Sequence, residues 1–193
     1  NIKTPIIIFF HGGGFVMGNL DTHDFTCRSI CNESVMIVVA VDYSLSPEYK
    51  FPYALSESKD VLQSLTDFEN EFNIDFNNLF VCGDSAGGNL ATVLAINSSK
   101  KNIIPIQGQI LIYPCVDLTL TMKSMDINMD GMTLTYDTMD YFIGHYLKSK
   151  KDSVNWEASP LFTSDLKNMP ETFIFAAGLD PLYDEGIAYK NRL

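Results

Sequence analysis

The sequence predicts an α/β domain in which a mostly parallel central sheet is flanked by helices. Three observations carry this prediction: short apolar runs without alternation, helical patterns between those runs, and 46% hydrophobic residues in a chain of 193. Continuous apolar runs are typical of parallel strands buried on both faces, and the helices between them supply the crossover connections. A chain of this length can form one hydrophobic core, so we expect a single domain over residues 1–193.

The individual elements follow from the apolar pattern along the chain. Residues 53–68 place apolar side chains at helical spacing, and residues 89–96 are mostly small, as in a helix that packs closely on a sheet. Five apolar runs are expected to be the strands: Ile6–Phe10, Met36–Val41, Leu79–Gly83, Gln109–Tyr113 and Phe173–Ala177.

One long segment interrupts the alternation of strands and helices. It separates the fourth and fifth predicted strands by more than an ordinary connection. It can pack on itself as an extra helical layer, and its flexible thioethers can also form an adaptable apolar wall for a ligand. We therefore expect a helical cap insertion over about residues 117–160, and it contains five of the eight methionines: Met122, Met125, Met129, Met132 and Met139.

Charge and cysteine content exclude several classes of protein. Thirteen Lys and Arg against 24 Asp and Glu give a formal net charge of −11, which disfavours nucleic acids and anionic membranes and favours a small neutral substrate. The apolar runs are too short for stable membrane insertion. The four cysteines form no CxxC pair and predict no disulfide framework, which favours a cytoplasmic location.

A metal site is the alternative to consider for two of the cysteines. His23, Cys27 and Cys31 would share one face of a helix, but the sequence nearby offers no fourth ligand. Small buried thiols beside a histidine near a helix cap are the favoured interpretation. We expect no metal and no cofactor.

The strongest functional signal is the segment Gly83-Asp84-Ser85-Ala86-Gly87. A predicted strand leads directly into it and a helical pattern follows, which is the context of a nucleophile elbow. Glycines on both sides of the serine allow the strand and the helix to approach each other around a strained turn. Trypsin-like proteases also contain Gly-Asp-Ser, but they are all-β proteins. Ser85 is therefore the predicted nucleophile.

A second signal, His11-Gly12-Gly13-Gly14, follows the first predicted strand. Consecutive glycines expose backbone N–H groups, and acyl transfer needs such donors because negative charge develops on the carbonyl oxygen. A phosphate-binding loop would continue with Lys and Ser or Thr, whereas Phe15 and Val16 follow here. His11 is interpreted as a structural residue that fixes the loop by hydrogen bonds, not as the catalytic base.

Together these motifs resemble the hormone-sensitive lipase family of α/β-hydrolases, and the resemblance spans nearly the whole chain. The segment from Asp180 to Gly186, DPLYDEG, is similar to the acid motif of that family. The resemblance implies an α/β-hydrolase fold in which Ser85 is the nucleophile and Asp180 orients a histidine. It also implies an oxyanion hole formed by the N–H groups of Gly12, Gly13 and Ala86, with supporting residues His11, Gly14, Gly83, Asp84 and Gly87.

The position of Asp180 agrees with this assignment independently. It follows the last predicted strand, and catalytic groups gather at the carboxyl ends of strands in such sheets. Asp184 is the alternative acid, but it lies one helical turn further on and is interpreted as a carboxylate at a helix N-terminus.

The chain departs from the family pattern in its histidines. In this fold the catalytic histidine follows the acid, yet His11, His23 and His145 all precede Asp180. The family's first strands and N-terminal cap helices are also not found, and the last helical pattern stops abruptly at Leu193. We therefore expect a chain truncated at both ends, with the catalytic histidine C-terminal to it. Without that base the 193-residue chain should be nearly inactive.

The predicted function of the intact protein is hydrolysis of short- to medium-chain carboxylic esters through an acyl-enzyme on Ser85, as in carboxylesterases and lipases. One alternative is a non-catalytic small-molecule receptor on the same fold, similar to the plant gibberellin receptor. Another is a hydrolase of arylformamides or other amides. The presence of all three motifs favours the esterase. The resemblance also leaves a homodimer open, because dimers through a sheet edge are common in this family.

Overall fold

The computed structural model describes residues 2–101, 104–127 and 133–193, and this part of the chain confirms the α/β prediction. Five strands form one sheet in the order β2-β1-β3-β4-β5, and every neighbouring pair is parallel. The strands are β1 (Thr4–Phe10), β2 (Ile37–Val41), β3 (Ile74–Asp84), β4 (Gly108–Ile112) and β5 (Glu171–Phe175).

Helices connect these strands. The helix predicted over residues 53–68 is an α-helix that continues as a 3-10 turn, and the pattern at residues 89–96 lies within a longer helix. The α-helices are α1 (Leu20–Ser34), α2 (Tyr53–Ser64), α3 (Glu69–Phe72), α4 (Ala86–Lys101), α5 (Tyr136–Tyr146) and α6 (Tyr183–Arg192).

All five strands differ from their predicted bounds by at least one residue at an end, and β3 and β5 differ most. β3 begins at Ile74, five residues before the apolar run, and its pairing with β1 shifts register between Pro5 and Ile6. The exposed polar pair Asn77-Asn78 lies in that shift, which is why the apolar pattern did not include the first part of the strand. β5 begins and ends two residues before the predicted run, at Glu171 and Phe175.

The sheet is covered on both faces near its centre. Ile6, Ile8 and Phe10 of β1 face the larger part of the core, which includes α4, whereas Ile7 and Phe9 face the side of α1. All five side chains are buried, as a continuous apolar run predicts. Because Phe10 pairs with Gly83, the segments that follow β1 and β3 emerge side by side at the same edge of the sheet.

The segment between β4 and β5 carries α5 and three short 3-10 helices at Lys123–Asp126, Lys150–Val154 and Pro160–Phe162. Met125 and Met139 are buried in the main core, and Met122 packs against it, whereas the predictions for Met129 and Met132 lie outside the described residues. Within the described ranges, no helix combines the length and apolarity needed to cross a membrane.

Candidate active site

Ser85 lies in a tight turn between β3 and α4. Its φ of 51° is in the left-handed region, which is strained for a residue with a side chain. Two backbone hydrogen bonds hold the turn against the end of β4: the Ser85 N–H donates to the Ile112 carbonyl at 2.9 Å, and the Ser85 carbonyl accepts from the Cys115 N–H at 3.1 Å. This is the geometry of a nucleophile elbow.

The glycines beside Ser85 are required by close packing. A Cβ atom on Gly87 would lie 1.9 Å from the carbonyl oxygen of Phe10, and one on Gly83 would lie 2.4 Å from the backbone carbonyl carbon of Gly87. Both obstacles are backbone atoms, so a side chain could enter only if the strand and the helix moved apart. The steric argument from the sequence therefore holds at these two positions.

The oxyanion prediction needs a correction at Gly12. Its N–H donates to Asp84 Oδ1 at 2.9 Å, so this donor is already engaged by a carboxylate. A carboxylate acceptor makes this a strong hydrogen bond, and it links the glycine loop to the residue before the nucleophile. The prediction that Gly12 supplies an oxyanion donor conflicts with this contact, and Asp84 is the partner that the sequence did not reveal.

Three other N–H groups remain available beside Ser85. Among the described residues, no acceptor is found for the N–H of Gly13 or Gly14, and that of Ala86 belongs to the first turn of α4, where helical N–H groups have no partner in the helix. These residues and Ser85 line one cavity of about 400 Å³. Its described walls contain no charged side chain and include Met17, Leu118, Met139, Phe142 and Ile143.

His11 is buried under the glycine loop. Its Nδ1 lies 2.8 Å from the Gly12 carbonyl, which can only accept, so Nδ1 carries the proton. The ring stacks on Tyr43 at a centroid distance of 4.2 Å, and the Tyr43 hydroxyl donates to the His11 carbonyl at 2.7 Å. Burial lowers the pKa of His11, which disfavours a charged imidazole there. These contacts join His11 to the glycine loop and to Tyr43.

The three side chains considered as metal ligands diverge on α1. His23 Nε2 lies 3.3 Å from Asp84 Oδ1, whereas Cys27 is half-buried and Cys31 is exposed. In the described part of the chain, no group of three or more His, Cys, Asp or Glu side chains is placed to hold a metal ion. His23 instead contacts Asp84, the residue whose carboxylate accepts from the Gly12 N–H.

Asp180 lies in the loop between β5 and α6. One carboxylate oxygen, Oδ1, accepts from the Leu182 N–H at 2.9 Å, and burial raises the pKa of the group, with this hydrogen bond opposing the shift. Asp180 and Ser85 both line a second cavity of about 440 Å³, together with Tyr113, Leu134 and Leu179. The structure therefore brings the predicted nucleophile and the predicted acid to the lining of one space.

Asp184 has a different environment. Its Oδ2 accepts from the Ser124 N–H at 2.9 Å, and its own backbone N–H donates to Ser124 Oγ at 3.2 Å. The Ser124 hydroxyl in turn donates to the Pro181 carbonyl at 2.6 Å. Asp184 lies in the first turn of α6, as the sequence predicted. It joins the segment after β4 to the acid loop and does not line the cavity beside Ser85.

All three histidines lie in the described part of the chain, and none of them hydrogen-bonds to Ser85 there. His11 and His23 are engaged as above, and His145 Nδ1 lies 2.8 Å from the Tyr141 carbonyl within α5. Ser85 and Asp180 are thus brought together without a base from these histidines.

The fold, the strained serine turn and the glycine loop define the class of protein. A family model described as "alpha/beta hydrolase fold" matches residues 7–193. The chain belongs to this family, in its hormone-sensitive lipase and carboxylesterase branch. This finding agrees with the resemblance drawn from the motifs.

Three relatives illustrate the match. An arylesterase of Saccharolobus solfataricus is 35% identical over 97% of this chain and 61% of its own length, and an ethyl acetate hydrolase of Pseudomonas putida is 33% identical over 97% and 59%. The crystal structure of a hyperthermophilic esterase from Pyrobaculum calidifontis superposes with a TM-score of 0.94 at 39% identity, covering 99% of this chain and 62% of that one. The chain thus spans about three fifths of the length of these relatives.

Proposed function

We propose that the complete gene product is a serine hydrolase of short- to medium-chain carboxylic esters. The observation that carries the proposal is the strained Ser85 turn, which shares one cavity with Gly13 and Gly14, whose N–H groups find no acceptor among the described residues. A nucleophile beside preorganised backbone donors is what acyl transfer requires. The relatives named as an arylesterase and an ethyl acetate hydrolase support the same reaction class.

The reaction proceeds through an acyl-enzyme. Ser85 Oγ attacks the ester carbonyl while a histidine accepts its proton, and the N–H groups of Gly13, Gly14 and Ala86 stabilise the resulting oxyanion. The histidine then gives the proton to the departing alcohol, and water releases the acid by the same steps. Asp180 holds the imidazole in the required tautomer. The proposal invokes no metal or cofactor.

The base in this proposal is a histidine of the complete gene product other than the three in this chain. Its support is the engagement of those three elsewhere and the space of about 440 Å³ that Ser85 shares with Asp180. An imidazole in that space could contact the hydroxyl on one side and the carboxylate on the other, as a triad requires.

The two cavities beside Ser85 separate the two halves of the ester. The histidine protonates the leaving alcohol, so the alcohol must lie on the side of Asp180. The acyl chain then enters the other cavity, where the described lining residues carry no charge and suit an alkyl chain. Its volume of about 400 Å³ is near the small end for ligand sites. This arrangement supports short- to medium-chain acyl groups. Because α5 lines that cavity, we propose that the segment of about residues 117–160 acts as the cap.

The remaining expectations concern partners and location. The net charge of −11 supports a neutral substrate and no nucleic-acid partner. All four cysteines are free thiols, which supports a reducing compartment such as the cytoplasm. A homodimer stays a prediction of the family resemblance.

Initial rates of p-nitrophenyl butyrate hydrolysis by the complete gene product test the proposal. Ser85→Ala should lower kcat on the order of 10⁶-fold, because triad members act as a unit. Ser56→Ala, at an exposed serine of α2, is the matched control and should keep the wild-type rate.

Turnover that survives Ser85→Ala would show that Ser85 is not the nucleophile. Absence of turnover with the butyrate, octanoate and laurate esters would contradict the esterase proposal and direct attention to amide substrates or to a binding function.

A further inference from the structure

We propose that Glu185 is a positioning residue of the proposed hydrolase, clamping the backbone after β4 so that the Ser85 turn and the Asp180 loop keep a fixed separation. This inference rests on the proposed function. The sequence placed Glu185 within the acid motif but assigned it no role.

The clamp is made by one carboxylate oxygen. Glu185 Oε1 accepts from the N–H of Val116 at 2.6 Å and from that of Asp117 at 3.2 Å, across 69 and 68 residues of sequence. The side chain is fully buried, although it belongs to the first turn of α6. Buried backbone N–H groups need acceptors, so this one side chain satisfies two donors that would otherwise be costly to bury.

The clamped backbone is connected to the nucleophile. Cys115, the residue before the clamp, donates its N–H to the Ser85 carbonyl at 3.1 Å. The Cys115 carbonyl accepts from Asn89 Nδ2 at 2.8 Å, which ties the same peptide to α4. A shift of residues 115–117 would therefore move the support of the serine turn directly.

The other end of the clamp is connected to the acid. Glu185 follows Asp180 by five residues, and the Asp180 carbonyl accepts from the Tyr183 N–H at 3.0 Å where α6 begins. The carboxylate thus joins the two parts of the site through short paths of hydrogen bonds and backbone. Catalytic geometry tolerates little displacement, since a misplacement of about 1 Å can cost about 10²-fold in rate.

The clamp depends on the length of the Glu185 side chain and not on its charge. Burial raises the pKa of Glu185 well above its usual range, the two backbone donors oppose the shift, and the nearby carboxylates of Asp117 and Asp180 add to it. Among the described residues, Oε2 has no hydrogen-bond partner. An uncharged side chain of the same length can therefore present the same acceptor to Val116 and Asp117.

Two substitutions separate reach from charge. Glu185→Gln keeps the length and one acceptor oxygen, whereas Glu185→Asp keeps the acid but withdraws it by one methylene. In the complete gene product we expect Glu185→Gln to keep kcat within about fivefold, and Glu185→Asp to lower kcat about 30-fold or more with KM nearly unchanged, because substrate contacts are untouched. The labelling rate of Ser85 by a fluorophosphonate should fall in the same order.

The control separates positioning from loss of stability. Leu62→Ala removes a buried side chain of α2 that is not part of the site, and it should lower Tm while keeping kcat and the labelling rate. The proposal is wrong if Glu185→Asp is as active as Glu185→Gln. It is also wrong if the two Glu185 variants lose no more activity than Leu62→Ala protein of the same Tm.

The failure of this inference can be told apart from failure of the proposed function. Ser85→Ala, assayed in parallel, decides whether turnover depends on the nucleophile. If wild-type protein hydrolyses none of the esters but still reacts with the fluorophosphonate at Ser85, the labelling rates of the Glu185 variants decide the positioning role alone.

Discussion

The turn that carries Ser85 is held by backbone contacts, whereas the loop that carries Asp180 is held by hydrogen bonds between nearby carboxylate side chains and distant parts of the chain. Around Ser85, the carbonyl of Phe10 comes so close to Gly87 that no Cβ fits between them. Around Asp180, Ser124 bonds Asp184 across 60 residues and Val116 bonds Glu185 across 69. The first region depends on residues without side chains and the second on particular side chains.

This difference has consequences for how each region fails. Adding a single methyl group at the elbow forces backbone segments apart, so activity and stability fall together. Removing a side chain near Asp180 loosens one contact in a set, so activity can fall while the fold persists. Substitutions in the two regions should therefore differ in how far they separate activity from stability.

Substitution of the two candidate acids gives the largest expected difference. In the complete gene product, Asp180→Asn should lower kcat on the order of 10³- to 10⁴-fold, since an amide no longer holds the imidazole in the right tautomer. Asp184→Asn should cost about 1–2 kcal/mol of stability by weakening the bond that its carboxylate accepts from the Ser124 N–H, with kcat within about tenfold of wild type. Steady-state kinetics and thermal unfolding measure both; a larger loss of kcat in Asp184→Asn would reverse the assignment.

A methyl group at the elbow comes next. Gly87→Ala should destabilise the protein by about 3 kcal/mol and abolish activity, because its Cβ would meet the Phe10 carbonyl oxygen. The same change at Gly144, in α5, meets nothing within 4 Å and should stabilise by up to about 1 kcal/mol. Chemical denaturation of both variants provides the measurement. A stable, active Gly87→Ala protein would contradict the close approach of β1 and α4.

Substitutions in the two cavities beside Ser85 should have a smaller effect, on acyl-chain specificity. Met139→Ala should raise the ratio of kcat/KM for octanoate over butyrate esters roughly tenfold, because it lengthens the space available to the acyl chain. Leu179→Ala, in the cavity on the Asp180 side, is the control and should leave the ratio unchanged. If Leu179→Ala changes the chain-length profile and Met139→Ala does not, the acyl and alcohol sides are interchanged.

The alkylation rates of two buried thiols, Cys82 in β3 and Cys115 after β4, compare the local stability of these two segments. Burial raises the pKa of Cys82 to about 12, and it also raises that of Cys115. Both should alkylate only after local opening, and Cys115 should react about tenfold faster because Cys82 lies in a central strand. Mass spectrometry after timed iodoacetamide treatment gives the order, with exposed Cys31 as the fast reference. Faster reaction of Cys82 would mean that the elbow strand opens first.

Much of the fold was predictable because its signals are local. Each of the five strands was found near its observed position, since continuous apolar residues such as Ile6–Phe10 can be satisfied only by burial on both faces. The elbow was predictable for a related reason, because glycines before and after one serine specify a tight turn within a few residues. The start of β3 at Ile74 was missed because polar residues interrupt its apolar pattern.

The candidate site was less predictable wherever one segment meets another. The sequence favoured Gly12 as an oxyanion donor, but its N–H is taken by Asp84, 72 residues away, and Gly14 stands beside Gly13 in the cavity instead. Glu185 had a local signal, since it shares an apolar helix face with Leu182 and Tyr189, both buried, but its partners were not visible.

The sequence by itself determined the kinds of element, their order and the residue types at the site. Short-range periodicity and glycine placement express those properties within one turn or one strand. Only the tertiary structure decided which N–H groups are engaged, which carboxylate shares a cavity with Ser85 and which one accepts hydrogen bonds from the backbone after β4. Those outcomes depend on burial and on distances between segments far apart in the chain, and these distances exist only once the sheet and its helices have packed.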